Sequence, residues 1–141
     1  MSDFIAVIEE LILLFQHLIQ VEQTKLESIR KNRITYVEDC MNQEQAAIMK
    51  LRGLDKRRED CQKKLGFSGY TFQQILAEVS GEQQETLKKL FDSLSQQVRL
   101  FQDTNDSAKS MLEINLHLIN KAIQTSPNGA TIDKSQWEER L

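Results

Sequence analysis

Polar pairs recur at seven-residue intervals near the start of the chain: Glu9-Glu10, Gln16-His17, Gln23-Thr24 and Arg30-Lys31. Between them fall Phe4, Ile5, Val7, Ile8, Leu11, Ile12, Leu14, Phe15, Leu18, Ile19 and Val21. On a helix from about Ser2 to about Arg30, at about 100° per residue, these make an apolar arc of roughly 200°. A two-helix seam needs less. The pattern predicts a helix that packs against two neighbours at once, and so a fold of helices.

Composition agrees. Five glycines and one proline in 141 residues leave few breaks, and aromatics are only 6%. Abundant Gln, Glu, Lys and Leu suit long helices or coiled coils, and the length suits one domain. The net charge of −3 is spread with both signs interspersed and no basic patch, which argues against nucleic acid or an anionic membrane as partner. Cys40 and Cys61 lie outside any CxxC and have no histidine nearby. Packing as small apolar groups in a reducing compartment is expected, with a disulfide as the alternative. The opening stretch "MSDFIAVIEELILLF" lacks a basic n-region, and Glu9 and Glu10 interrupt it. It is read as neither a signal peptide nor a membrane span, being too short for the latter. A cytoplasmic protein is expected.

"KNRIT", Lys31–Thr35, reads as the first break, though a helix running through it is the alternative. Asn32 tolerates a left-handed turn, and Thr35 with Glu38 has the spacing of a capping box. A second helix then runs from about Tyr36 to Leu65, on a thinner stripe of Val37, Cys40 or Met41, Ala47 or Ile48, Leu51, Leu54, Cys61 and Leu65. "GFSGYT", Gly66–Thr71, is a loop: Gly66 stops the helix and Gly69 supplies positive φ. Thr71 with Gln74 caps a short helix, Phe72–Val79, and Ser80 with Gln83 repeats the pattern before the last helix. Phe67, Tyr70 and Phe72 either close the end of the core or line a binding loop.

The last helix is expected from Gly81 to about Thr125, with a heptad seam of Leu87, Phe91, Leu94, Val98, Phe101, Asn105, Ala108, Leu112, Asn115, Ile119 and Ala122. "TNDS", Thr104–Ser107, is a run of poor helix formers and a candidate kink. Ser126-Pro127-Asn128-Gly129 ends the helix. The expected class is all-α: three long helices and one short one in an antiparallel bundle or coiled coil over residues 1–125, with a flexible C-terminal tail over 126–141.

Nothing converges on catalysis. His17 and His117 project from polar faces, without HExxH spacing, and GxSxG, P-loop and GxGxxG motifs are absent. The carboxylates stand at helix-surface spacings that suit ion pairs. "LRGLDKRRED", Leu51–Asp60, reads as a solvated charge run in which Arg57 or Arg58 lays its stem over the seam. The expectation is no enzyme, no cofactor and no metal site.

The segment "MLEINLHLINKAI", Met111–Ile123, has two apolar faces instead of one. With Met111 at 0°, the upstream seam lies at about 60–160°, and Leu112, Leu116, Ile119 and Ile123 continue it. Met111, Ile114, Leu118 and Ala122 fall between about 300° and 20°, a second stripe. A helix from Gly81 to Thr125 is also about 65 Å long, against about 45 Å for each of the first two. Its end overhangs them unless the short helix takes up the slack or "TNDS" bends it back. An overhanging second stripe marks an interaction surface. Packing of that stripe on the first helix is the alternative.

These elements resemble the FlgN family of flagellar export chaperones over roughly Phe4–Ile123. The match lies in their order: a long helix, a turn at Asn32, a helix with Leu54 and Arg57 as "LxxR", a break at Leu65-Gly66, and a long helix carrying "NxxAxxMLxxNLxxI" from Asn105 to Ile119. The family pattern there is close to "NxxNxxLL". Asn105 and Leu112 match it, while Ala108 stands for the second Asn and Met111 for the first Leu. The resemblance implies a cytoplasmic chaperone without ATPase activity. It would bind the hook–filament junction proteins FlgK and FlgL, prevent their premature assembly and deliver them to the export gate. It places client binding on the C-terminal helix and tail, and with the second stripe the candidate contacts are Met111, Leu112, Ile114, Asn115, Leu118, Ile119 and Ala122. Family members often carry a tail tyrosine linked to gate docking. This tail has none, which leaves Ile132 and Trp137 as candidate gate contacts. On physical grounds a client helix on the second stripe completes a coiled-coil-like layer, and Met111 suits adaptable packing. Asn105 and Asn115 either fix register or face water at a kink. A structural coiled-coil homodimer using the same surface is the competing reading.

Overall fold

The apolar arc forms one unbroken helix, α1, Ser2–Arg30. The computed structural model of the chain describes residues 1–115, with side chains through Ser107. The described elements are α1, α2 (Ile34–Lys64), α3 (Phe72–Glu78) and α4 (Gly81–Asn115). All are helical, as expected. The expectations for residues 116–141, including the end of the last helix and the 126–141 tail, lie outside the described residues.

The chain breaks where left-handed residues permit it. Asn32 has φ +54°, and around it Asn32 N–H donates to Ile29 O and Arg33 N–H to Ser28 O. This is the Schellman closure, with asparagine in the position usually held by glycine. The end of α2 repeats it: Gly66 has φ +82°, with Gly66 N–H on Lys63 O and Phe67 N–H on Gln62 O. The Thr35–Glu38 capping box does not form, because α2 already begins at Ile34 and Arg33, its N-cap, makes no side-chain cap. The turn is closed from the α1 side instead. At α3 the box is made: Gln74 N–H donates to Thr71 Oγ1 at 3.2 Å and Thr71 N–H to Gln74 Oε1 at 2.8 Å. The Ser80–Gln83 repeat is not made. Gly81 turns at φ +63° and Gln84 Nε2 reaches back to Leu76 O.

α1 packs along both α2 and α4, and α3 packs on α4. Two ion pairs fix the direction of α2. Glu10 meets Arg57 and Lys25 meets Glu44, each at 2.7 Å, so partner numbers fall as those in α1 rise. Two ring pairs fix α4. Phe4 meets Phe91 edge-on at 6.1 Å and Phe15 meets Phe101 at 5.9 Å, a near-constant offset that runs α4 parallel to α1. The core is continuous from Phe4 to Ile19 on α1, with Ala47, Leu51 and Leu54 of α2, Phe72 and Ile75 of α3, and Leu87 to Phe101 of α4. The two-neighbour reading of the arc holds.

α1 is also the one described helix long and apolar enough to cross a membrane, so the expectation that this run is too short is corrected. What occupies its arc here is protein: Phe4, Val7, Ile8, Leu11, Phe15 and Leu18 are fully excluded from solvent.

The phenylalanine offset also sets the level of α4 against α1. It sets Asn115 level with about Ser28 of α1, so α4 through Asn115 runs alongside α1. The expected overhang toward Thr125 lies outside the described residues; at the other end Gly81 to Thr86 precede the level of Met1. There α3 takes up the slack: Phe72 stacks on Phe91 at 4.2 Å and 4°, over buried Ile75 and Leu87. Phe67 and Tyr70 pack beside this end, so the aromatic loop closes the core.

Candidate functional site

The seam of the last helix is where the heptads put it. Leu87, Phe91, Leu94, Val98 and Phe101 are at most 4% exposed, and Asn105 is buried beside them. α4 crosses Thr104–Ser107 without a break. The hydroxyls of Thr104 and Ser107 donate to the carbonyls of Leu100 and Asp103, which relieves the side chains that made this run a candidate kink.

Because the helix is unbroken, its angular register carries forward. Positions 111 and 114 fall on the face that holds Leu100, Thr104 and Ser107, roughly 130° around from the seam. That face is open where side chains are described: Leu100 is 47% exposed, Thr104 half-buried and Ser107 exposed. Position 112 falls on the seam with Phe101 and Asn105. Of the expected client contacts, Met111, Leu112, Ile114 and Asn115 belong to the described α4 backbone. Leu118, Ile119 and Ala122 lie outside the described residues, as do the gate candidates Ile132 and Trp137.

A second cluster went unread in the sequence. Lys25 Nζ sits 2.7 Å from Glu44 Oε1 and 3.1 Å from Glu22 Oε2. Both glutamates are fully buried and the lysine is 6% exposed. One ammonium cannot neutralise two carboxylates in a low-dielectric site. Burial, then a hydrogen bond with Glu22, push the Glu44 carboxyl up to about 9 against the opposing pull of Lys25. Burial would lower Lys25, but Glu44 and Glu22 outweigh it and hold the ammonium above its ordinary value. Near neutrality Glu44 keeps its proton. Burial, with Glu44 alongside, also raises the Cys40 thiol. Cys40 is a free, buried thiol, and Cys61 is free and half-buried.

The signal for this cluster was the helical angle itself. Counted from Leu11, Glu22 and Lys25 fall at about +20° and −40°, inside the apolar arc. Glu44 stands seven residues before Leu51 on the α2 stripe. The same count explains Arg58, seven residues after Leu51 and 2% exposed. Arg58 bonds Asp55 and Gln62, and Gln62 Nε2 in turn donates to the carbonyls of Phe67 and Tyr70, bracing the "GFSGYT" loop. Arg57 stays on the surface.

Among the described residues no group of His, Cys, Asp and Glu is arranged to hold a metal ion. What the arrangement offers, among the described residues, is helix faces. No characterised protein and no solved structure matches the chain. The sequence profile described as FlgN protein matches residues 1–131. That is nearly the whole length, and it spans α1 to α4: the chain belongs to the FlgN family, a family of flagellar export chaperones and not of enzymes.

Proposed function

We propose that this protein is a cytoplasmic chaperone of the flagellar type III export pathway. It binds hook–filament junction proteins of the FlgK and FlgL kind on the C-terminal part of its last helix, keeps them from assembling early, and hands them to the export gate. Residues 1–125 act as one antiparallel helical unit with the tail, 126–141, beyond it. The tail, through Ile132 and Trp137, is the gate contact in this reading.

One observation carries the client site. Positions 111 and 114 stand on a face of α4 that upstream, at Leu100 and Ser107, looks to solvent, and the sequence repeats the same spacing at Leu118 and Ala122. An amphipathic client segment laid there covers apolar surface that the seam leaves free. Leu112, Asn115 and Ile119, nearer the seam, set the edge of the contact.

The test is the joint replacement of Met111, Ile114 and Leu118 by serine. Capture of a FlgK- or FlgL-like client should be lost while the thermal melt followed by circular dichroism stays in place. A collapsed melt would mean the three residues are core and the site is wrong. Sedimentation equilibrium covers the competing homodimer: a tight dimer that client does not dissociate would assign the stripe to a second copy of the chain.

A further inference from the structure

The two ends of the α1–α2 hairpin are built of different material. From Phe4 to Val21 the buried positions of α1 are apolar, and the α2 stretch beside them buries Ala47, Ile48, Leu51 and Leu54 together with Asp55, Arg58 and Gln62, polar groups that hydrogen-bond one another. From Glu22 onward the buried positions are Glu22, Lys25, Ser28 and Ile29, facing an α2 segment that buries Val37, Cys40 and Glu44. The α4 seam turns polar at nearly the same level. Asn105 Oδ1 and Gln102 Nε2 are buried without a hydrogen-bond partner among the described residues.

A layer of this kind holds poorly. Apolar side chains gain from burial in proportion to their area. Buried ions gain only what remains after desolvation, and that remainder is often negative beside an apolar packing of the same volume. Here one lysine faces two buried acids, and Glu44 must hold a proton near neutrality that the unfolded chain releases. The α1–α4 offset puts α4 positions 109–115 beside Glu22 to Ser28, so the polar layer lies level with the start of the second stripe.

We infer that the Glu22–Lys25–Glu44 layer is a built-in line of weakness. The hairpin end from Glu22 to Glu44 and α4 from Asn105 to Asn115 open together as one unit, while the Phe4–Val21 half stays shut. This opening bares the last helix for its client, a clause that rests on the client reading above. Binding elements are drawn from the least stable part of a fold because they must move cheaply.

Amide hydrogen exchange of the full chain, read by mass spectrometry without any client, tests the opening. Amides in 22–44 and 105–115 should exchange about tenfold or more faster than those in 4–21 and 87–101. The triple replacement Glu22→Leu, Lys25→Met and Glu44→Leu should slow the first set about tenfold, leave the second set alone, and retard client capture. Lys25→Met alone, which strands two acids, should speed the first set instead. Uniform exchange, or exchange indifferent to both variants, overturns the inference. Exchange that responds while client capture does not overturns only the clause tying the opening to client binding.

Discussion

Lys25 Nζ and Glu44 Oε1 are 2.7 Å apart, and so are Arg57 Nη1 and Glu10 Oε2, yet the first pair is buried and the second is half in water. Distance alone gives these pairs the same value, but burial separates them. An exposed pair offers water as a ready substitute for either partner, so Arg57→Ala should cost less than about 1 kcal/mol. Removing the buried lysine leaves two acids without a cation, so Lys25→Met should cost about 3–5 kcal/mol. Urea denaturation of the two variants checks the contrast.

The raised Glu44 carboxyl makes stability depend on pH, and the sign follows from proton counting. Its ordinary value is 4.5 and its folded value about 9. Between those limits the folded chain holds a proton that the unfolded chain has released, so stability falls as pH rises and levels off above about 9. Lys25 is raised from 10.5 and contributes no slope below that value. The melting temperature should therefore drop from pH 5.5 to pH 8.5. Glu44→Gln mimics the protonated form at every pH, so it should flatten the slope and raise the melting temperature at pH 8.5. Melts in matched-ionic-strength buffers measure this.

Phe91 joins three helices, with its ring stacked on Phe72 of α3 and edge-on to Phe4 of α1. No neighbouring side chain can fill its place without moving an aromatic partner. Phe91→Ala should destabilise by about 3–5 kcal/mol. Exposed Leu13, at 64%, gives the control: Leu13→Ser should change stability by less than about 0.5 kcal/mol in the same denaturation series.

What the sequence disclosed was whatever repeats with the helical period. The α1 arc, the Leu87–Phe101 seam and the turns at Asn32 and Gly66 each follow from local pattern, and each stands in the structure. What it hid was where local chemistry and tertiary position disagree. Glu22, Lys25, Glu44 and Arg58 occupy interior angles but are charged, and a residue-type reading assigns them to the surface. Only the cross-helix register, which brings residue 25 to residue 44, shows that they neutralise one another. Thr35–Glu38 failed for the opposite reason. Its spacing suits a cap, but the Schellman turn at Asn32 had already set where α2 starts. Length did not give register either: that came from Phe4–Phe91 and Phe15–Phe101, while the end expected to overhang lies outside the described residues.

Leu100 lies on the α4 face that runs on to positions 111 and 114, and it is 47% exposed. A client helix seated on Met111 and Ile114 reaches Leu100 three helical turns away, at about 16 Å, if it follows the same face downward. An aspartate there puts a charge into that contact, with nothing in the α1–α4 core to disturb. Leu100→Asp should therefore leave the melting temperature within about 2 °C of the parent and weaken client capture by about tenfold, the effect of burying an unpaired charge at the edge of an apolar contact. Pull-down titration beside a circular dichroism melt reads both quantities. Unchanged capture would place the client wholly beyond Leu100, on the part of the helix that carries Met111 to Ala122.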